Sequence, residues 1–248
     1  MASVLEVCVG SAASAVNAQK GGGDRVELCS NLIIGGTSPS LALVKQVKYY
    51  TDLKIRVLLR PRFGDFCYDR YELEEMKELA QAYAELGVDA IVTGMLTPDG
   101  ELDLEAMRAI KSVIGDTTLA LHRAFDMCQD PFKTLEEAVS LGVGTILTSG
   151  QKNSAWEGRE LLKELVTKSA GRIEILAGAG IGPSNIEQLA RYTGARAFHM
   201  SGKLVKDSRM AFRRSDVSMG LPGFSEYELW ETSPEAVSRA AAILRSLD

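Results

Sequence analysis

Short runs of aliphatic and β-branched residues alternate, eight times over, with longer amphipathic stretches, and no other feature of the chain constrains its fold as much. The apolar runs lie near Leu5–Val9, Arg25–Cys29, Lys54–Arg60, Ala90–Thr93, Thr118–His122, Thr145–Thr148, Arg172–Ala177 and Ala195–His199. Each has the length of a strand. Between them the spacing predicts helices: in Tyr71–Leu86, the residues Leu73, Met76, Leu79, Ala80 and Tyr83 recur on one face. Pro39, Pro131, Pro183 and Pro234 sit where first helical turns would begin, and Gly87, Gly142 and Gly194 mark helix ends. Spread over 248 residues, eight units take about 31 residues each. That is the count and size of an α/β fold built as a single (β/α)8 TIM-type barrel, with residues 1–248 in one domain. The alternative, an open doubly wound sheet, usually has fewer strands, and no GxGxxG opens the first helix.

Composition narrows the function. With 28 basic and 33 acidic residues the net charge is −5, and the charges are scattered, so no positive face is available for nucleic acid. No apolar run approaches the ~18 residues of a membrane span, and the start has no basic, then apolar, leader pattern. Four cysteines without a CxxC pair point to neither a zinc ribbon nor a disulfide framework. A cytoplasmic protein that binds neither nucleic acid nor membrane is expected. Between His199 and Pro234 the chain runs through roughly thirty residues with no clear element, far beyond the ~2–6 of an ordinary βα loop. Such a segment serves as a lid, a substrate wall or a contact between copies.

Strand alternation assigns faces. Leu5, Val7 and Val9 belong under the helices, as do Val26 and Leu28. Glu6, Cys8, Glu27 and Cys29 then point into the barrel. Arg60 and Arg62 follow the third strand, inward or at the rim, His122 ends the fifth, and His199 faces inward from the eighth. Glu6 and Glu27 are expected to be neutralised by Arg60 and Arg62, because unpaired buried ions are unfavourable. Two readings stand for this set: a buried network that fixes strand register, or a ligand site. Charged groups, both histidines and two thiols gathered at one end favour the second.

The segments after the strands add to it. His122-Arg123-Ala-Phe-Asp126 follows strand five, Thr148-Ser149-Gly150 follows strand six, and Gly178-Ala-Gly180-Ile-Gly182 follows strand seven and opens a helix. A glycine-rich turn at a helix start presents N–H donors to a phosphate or carboxylate. Glu6, Arg60, Arg62, Arg123, Ser149, Gly178, Gly180 and His199 are therefore candidate ligand-binding residues, and Glu27, His122 and Asp126 candidates for proton transfer. Only two histidines are present, which argues against histidine-based zinc hydrolysis, and no strand end offers a Schiff-base lysine. No organic cofactor is expected. Cys67 and Cys128 read as buried small hydrophobes. Cys8 and Cys29, inward on neighbouring strands ~4.8 Å apart, suit a soft ion such as Cu(I).

The segments Glu6-Val-Cys8, Asp24-Arg-Val-Glu27-Leu-Cys29, Arg60-Pro-Arg62, Gly64-Asp65-Phe66, His122-Arg-Ala-Phe-Asp126, Leu147-Thr-Ser-Gly150 and Gly178-Ala-Gly180 closely resemble the CutC family, from the first strand into Met210-Ala-Phe-Arg213. The resemblance implies a cytoplasmic TIM-type barrel that forms homo-oligomers and serves copper homeostasis, with Cys8 and Cys29 at the positions of the family's proposed Cu(I) ligands. Two departures stand out. Ile34 replaces an acid before Gly35-Gly36, and Phe63 intrudes before Gly64. Two cysteines do not by themselves call for Glu6, Glu27, Arg60, Arg62, His122 and an anion-binding turn. A second function therefore stays open: a barrel enzyme of isomerase or lyase type acting by acid–base chemistry on a small anionic or phosphorylated metabolite.

Overall fold

The computed structural model describes residues 2–214, 216–221 and 223–248. Eight parallel strands close on one another in chain order: β1 (Val4–Val9), β2 (Arg25–Leu28), β3 (Lys54–Leu58), β4 (Ala90–Thr93), β5 (Thr118–Leu121), β6 (Thr145–Thr148), β7 (Glu174–Ala177) and β8 (Ala197–Met200). The helices that return the chain are α1 (Ala12–Lys20), α2 (Leu41–Tyr50), α3 (Arg70–Glu85), α4 (Leu104–Val113), α5 (Pro131–Ser140), α6 (Arg159–Ser169), α7 (Ile186–Thr193) and α8 (Pro234–Arg245). Closure pairs β1 with both β2 and β8, setting Glu6 opposite Arg25 on one side and opposite His199 on the other.

Local chemistry sets the helix ends. Asp69 accepts from the amides of Tyr71 and Glu72 while the Glu72 carboxylate reaches back to the Asp69 amide, a reciprocal cap that starts α3. Ser11, Ser40, Asp103, Asp130 and Ser233 cap other helices through their side-chain oxygens. Pro131 and Pro234 occupy first helical positions. Pro39 and Pro183 instead precede their helices: Ser40 caps α2, and α7 begins only at Ile186. Gly87, Gly142 and Gly194 all take positive φ just beyond a helix, the conformation that costs glycine least.

The aliphatic face of the strands is buried under the helices, where Leu5, Val7, Val9, Val26, Leu28 and Val57 are wholly inaccessible. Inside the barrel, Leu147, Leu176 and Ala197 pack together with Val4 against them, and Leu58 and Val92 are buried on the same side as Arg56. Other interior positions carry buried charged groups, among them Glu6, Arg25 and Glu27, and these build a site there.

The segment after β8 departs from expectation. It contains two antiparallel strands, β9 (Lys203–Asp207) and β10 (Glu228–Thr232), that form a separate two-stranded ribbon. Its base is tied to α1: the Thr232 amide donates to Ser14 Oγ, and Asn17 Nδ2 donates to the Thr232 carbonyl. Ser215 and Pro222 of this segment lie outside the described residues.

Candidate functional site in the barrel interior

The inward residues of β1, β2, β3, β7 and β8 form a stack of charges. In its lowest layer Arg25 Nε donates to Glu6 Oε2 at 2.6 Å and an Arg25 terminal nitrogen to Glu174 Oε1 at 2.5 Å. Arg56 stands 3.4 Å from Glu6 and 3.5 Å from Glu174, and Thr145 Oγ1 donates to Glu174 at 3.0 Å. Glu6 and Glu27 are thus not neutralised by Arg60 and Arg62, as alternation plus charge had suggested; Arg25 and Arg56 hold Glu6. Both were legible by the same parity, since Arg25 lies two residues before Glu27 and Arg56 separates outward Ile55 from outward Val57.

Above this layer Glu6 Oε1 contacts His199 Nδ1 at 2.9 Å, and His199 Nε2 lies 3.6 Å from Glu27 Oε2. Burial disfavours the ionised Glu6 carboxyl. The His199 hydrogen bond and the charges of His199, Arg25 and Arg56 outweigh that, and hold its pKa down to about 2. Burial likewise opposes a charged His199, yet hydrogen bonds to Cys8 and Glu6 and the nearby negative groups raise it well above the usual histidine range. Glu27 is pushed up to about 8, by burial first and by the charges of Cys8 and Glu6 next.

The thiols crown the stack. Cys8 Sγ and Cys29 Sγ are 3.8 Å apart, and Cys29 Sγ is 3.6 Å from Glu27 Oε2. Donor atoms of Cys8, Glu27 and Cys29 all lie within 4.8 Å of one another. A hydrogen bond from Cys29 lowers the Cys8 pKa to about 5 against the pull of burial, with His199 assisting. The shared proton stays on Cys29, whose thiol is raised well above its ordinary value by that same bond and by burial. The stack thus sets the acidic groups Glu6, Glu27, Glu174 and the thiol pair against Arg25, Arg56 and His199. All four cysteines are free; Cys128 is buried as expected, whereas Cys67 is exposed. A cavity of about 270 Å³ opens onto Cys8, walled by Ser14, Leu32, Ser201, Lys203 and Trp230. The last two belong to the ribbon, whose part in the site no motif announced.

The other side of the mouth is organised differently. Asp126 accepts from Thr148 Oγ1 (2.5 Å), Ser149 Oγ (2.9 Å), the Ser149 and Gln151 amides (3.0 Å each) and Arg123 Nε (2.7 Å). Arg123 also donates to Ser149 Oγ at 2.9 Å. Arg123, Asp126 and Ser149 thus form one knot joining the loops after β5 and β6, with the carboxylate occupied on both oxygens. Arg62 turns outward to Glu72 (2.5 Å) and Asp65 (3.0 Å), because β3 ends at Leu58 and alternation no longer governs its direction. Arg60 stays inside, donating to the carbonyls of Gly36 (3.0 Å) and Gly64 (2.8 Å). His122 Nδ1 accepts from the Ala124 amide at 3.1 Å; burial and then the charge of Arg60 push its pKa down to about 3.

Two amides of the glycine-rich turn are satisfied from within. The Gly178 amide donates to the Thr148 carbonyl, and the Gly182 amide to Asn185 Oδ1. Gly178 is required by packing: a Cβ there would stand 2.5 Å from Leu147 Cδ1 and 3.5 Å from His199 Cβ. Gly180 sits at φ +72°, and its carbonyl accepts from Asn185 Nδ2.

Comparison with known proteins places this arrangement in context. Residues 3–204 match the model of the CutC family. The chain is 42% identical over 248 residues to the copper homeostasis protein CutC homologue of Homo sapiens, covering 98% of this chain and 90% of the human one. It is 39% identical over 248 residues to a family protein CutC of Chromobacterium violaceum, covering 100% and 99% of the two chains. A CutC crystal structure from Streptococcus agalactiae superposes with a TM-score of 0.77 at 32% identity, over 80% of this chain and 98% of that one.

Proposed function

The chain belongs to the CutC copper homeostasis family, and from that premise we propose that it takes up one Cu(I) as cargo between Cys8 and Cys29. The observation that carries this reading is the 3.8 Å separation of the two sulfurs. Thiolates bound ~2.3 Å from one first-row metal ion stand at most ~4.6 Å apart, so both reach a common ion without the strands moving. Thiolate is the donor class that selects Cu(I) over harder cations, and the bond from Cys29, with His199, lowers the pKa of the Cys8 thiol. Exchange of one thiol proton for Cu(I) swaps one unit positive charge for another and leaves the net charge of the stack unchanged. The cavity at Cys8 is the route of entry.

We propose further that the protein works in the cytoplasm, where thiols stay reduced, and that copies associate through the ribbon arm. Phe212, Met219 and Leu229 are all exposed there. Among the described residues no helix is long and apolar enough to cross a membrane.

The test is an anaerobic Cu(I) titration of the reduced protein against a competing chelator, beside the double variant Cys8→Ser/Cys29→Ser. Partners outside the ligand shell are worth ~10–100-fold in metal affinity, so loss of both thiolates should exceed that. A double variant that binds copper as tightly as the parent overturns the assignment. Sedimentation at increasing concentration, with Phe212→Ser/Met219→Ser as comparison, tests association.

A further inference from the structure

We propose that Arg60 and His122 form a second binding site, separate from the thiol pair, for the carboxylate of a small organic acid. Arg60 is 7% exposed, and among the described residues its guanidinium meets the carbonyls of Gly36 and Gly64 but no carboxylate. Arg25 and Arg56, also inside the barrel, both meet Glu6 and Glu174. A buried guanidinium without a counter-ion is strongly unfavourable. Its two carbonyl contacts fix the group in place, while Nε stays buried and without a partner.

His122, 5% exposed, has the same character. Its Nδ1 accepts from the Ala124 amide, which puts the ring proton on Nε2, and Nε2 is likewise buried without a partner. The Tyr68 hydroxyl, near enough to feel the charge of Arg60, is a third unpartnered polar group. Arg60 and His122 flank one ring: Arg60 Cζ lies 5.1 Å from the centre of Phe66 and the imidazole centre 4.9 Å.

Two fixed N–H donors and one uncompensated positive charge define the ligand. Water would satisfy a donor and leave the charge. A phosphate dianion would bring one negative charge too many, because His122 is held neutral by burial and by Arg60. A carboxylate supplies one charge and two acceptor oxygens. Phe66 is half-buried, with Phe63, Gly64, Asp65 and Cys67 exposed around it.

The arginine Nε–H signals of the full ¹⁵N-labelled chain report on the site directly, that of Arg60 being assigned by its disappearance in Arg60→Lys. Acetate, against chloride at equal ionic strength, is expected to shift this signal saturably and to raise the melting temperature. Arg60→Lys should lose the thermal response, and His122→Gln, which keeps the reporter, should weaken acetate about tenfold. If Arg60→Lys does not fold, His122→Gln carries the test. Cys8→Ser/Cys29→Ser should respond to acetate as the parent does, so the outcome is independent of copper binding. An Arg60 Nε–H signal indifferent to acetate overturns the site, as does an undiminished acetate response in His122→Gln. Inorganic phosphate binding more tightly than acetate overturns the carboxylate assignment.

Discussion

Arginines inside this barrel are held in two ways. Arg25 and Arg56 sit low in the stack, each facing both Glu6 and Glu174, and form part of a set of paired charges. Arg60 lies two residues past the end of β3 and, among the described residues, meets only backbone carbonyls and an aromatic ring. The first arrangement is closed and holds the strands; the second keeps a charge and a donor in reserve. Burial alone does not distinguish a structural ion from a receptive one. The presence or absence of a counter-ion does.

Removing Glu6 is the strongest way to break the closed set. Glu6→Ala leaves Arg25 and Arg56 facing Glu174 alone and His199 facing Glu27, and loss of one partner from a buried pair costs about 3–5 kcal/mol. Urea unfolding measures it, and a loss under ~1 kcal/mol, the scale of an exposed pair, would mean that Glu174 alone satisfies both arginines. Arg60→Met should cost less, about 1–2 kcal/mol, because the Gly36 and Gly64 carbonyls lose donors while an unpaired charge also leaves the interior. Equal losses for the two variants would erase the distinction between the regions.

The pH dependence of stability sharpens it further. Glu6 titrates in the folded state at about 2, below its ordinary 4.5. Its contribution is present above pH 4.5 and is lost as pH falls toward 2. His199 has the opposite sign: its folded value is raised, so its contribution is full below its ordinary 6.5 and is lost as pH rises through the raised value. Unfolding free energies across the acid range should decline with a slope that Glu6→Gln flattens and Arg60→Met leaves in place. The smallest effect is a count. Because Cys8 is a thiolate and Cys29 a thiol at pH 7, Cu(I) uptake should release about one proton, read by calorimetry in two buffers of different ionisation enthalpy. Release of two would mean that both thiols are protonated beforehand.

Residue order alone was enough for the eight-unit repeat, for the outward aliphatic face, and for the inward direction of Glu6, Cys8, Glu27, Cys29 and His199. These follow from local covalent geometry, since neighbouring side chains on a strand point to opposite sides wherever that strand ends up. Partnership is another matter. Arg25 meets Glu174 across 149 residues of sequence, and Glu6 meets His199 only because β8 closes onto β1 in that register. Arg60 and Arg62 have the same parity, yet one stays inside and the other swings to Glu72, because the strand that would align them has already ended. β9 and β10 pair across the twenty residues between them, too far apart for a turn motif to announce. Direction is set by each strand's own backbone; contact is set by closure of the barrel, and only the tertiary structure decides which charges find a counter-ion and that Arg60 meets no carboxylate among the described residues.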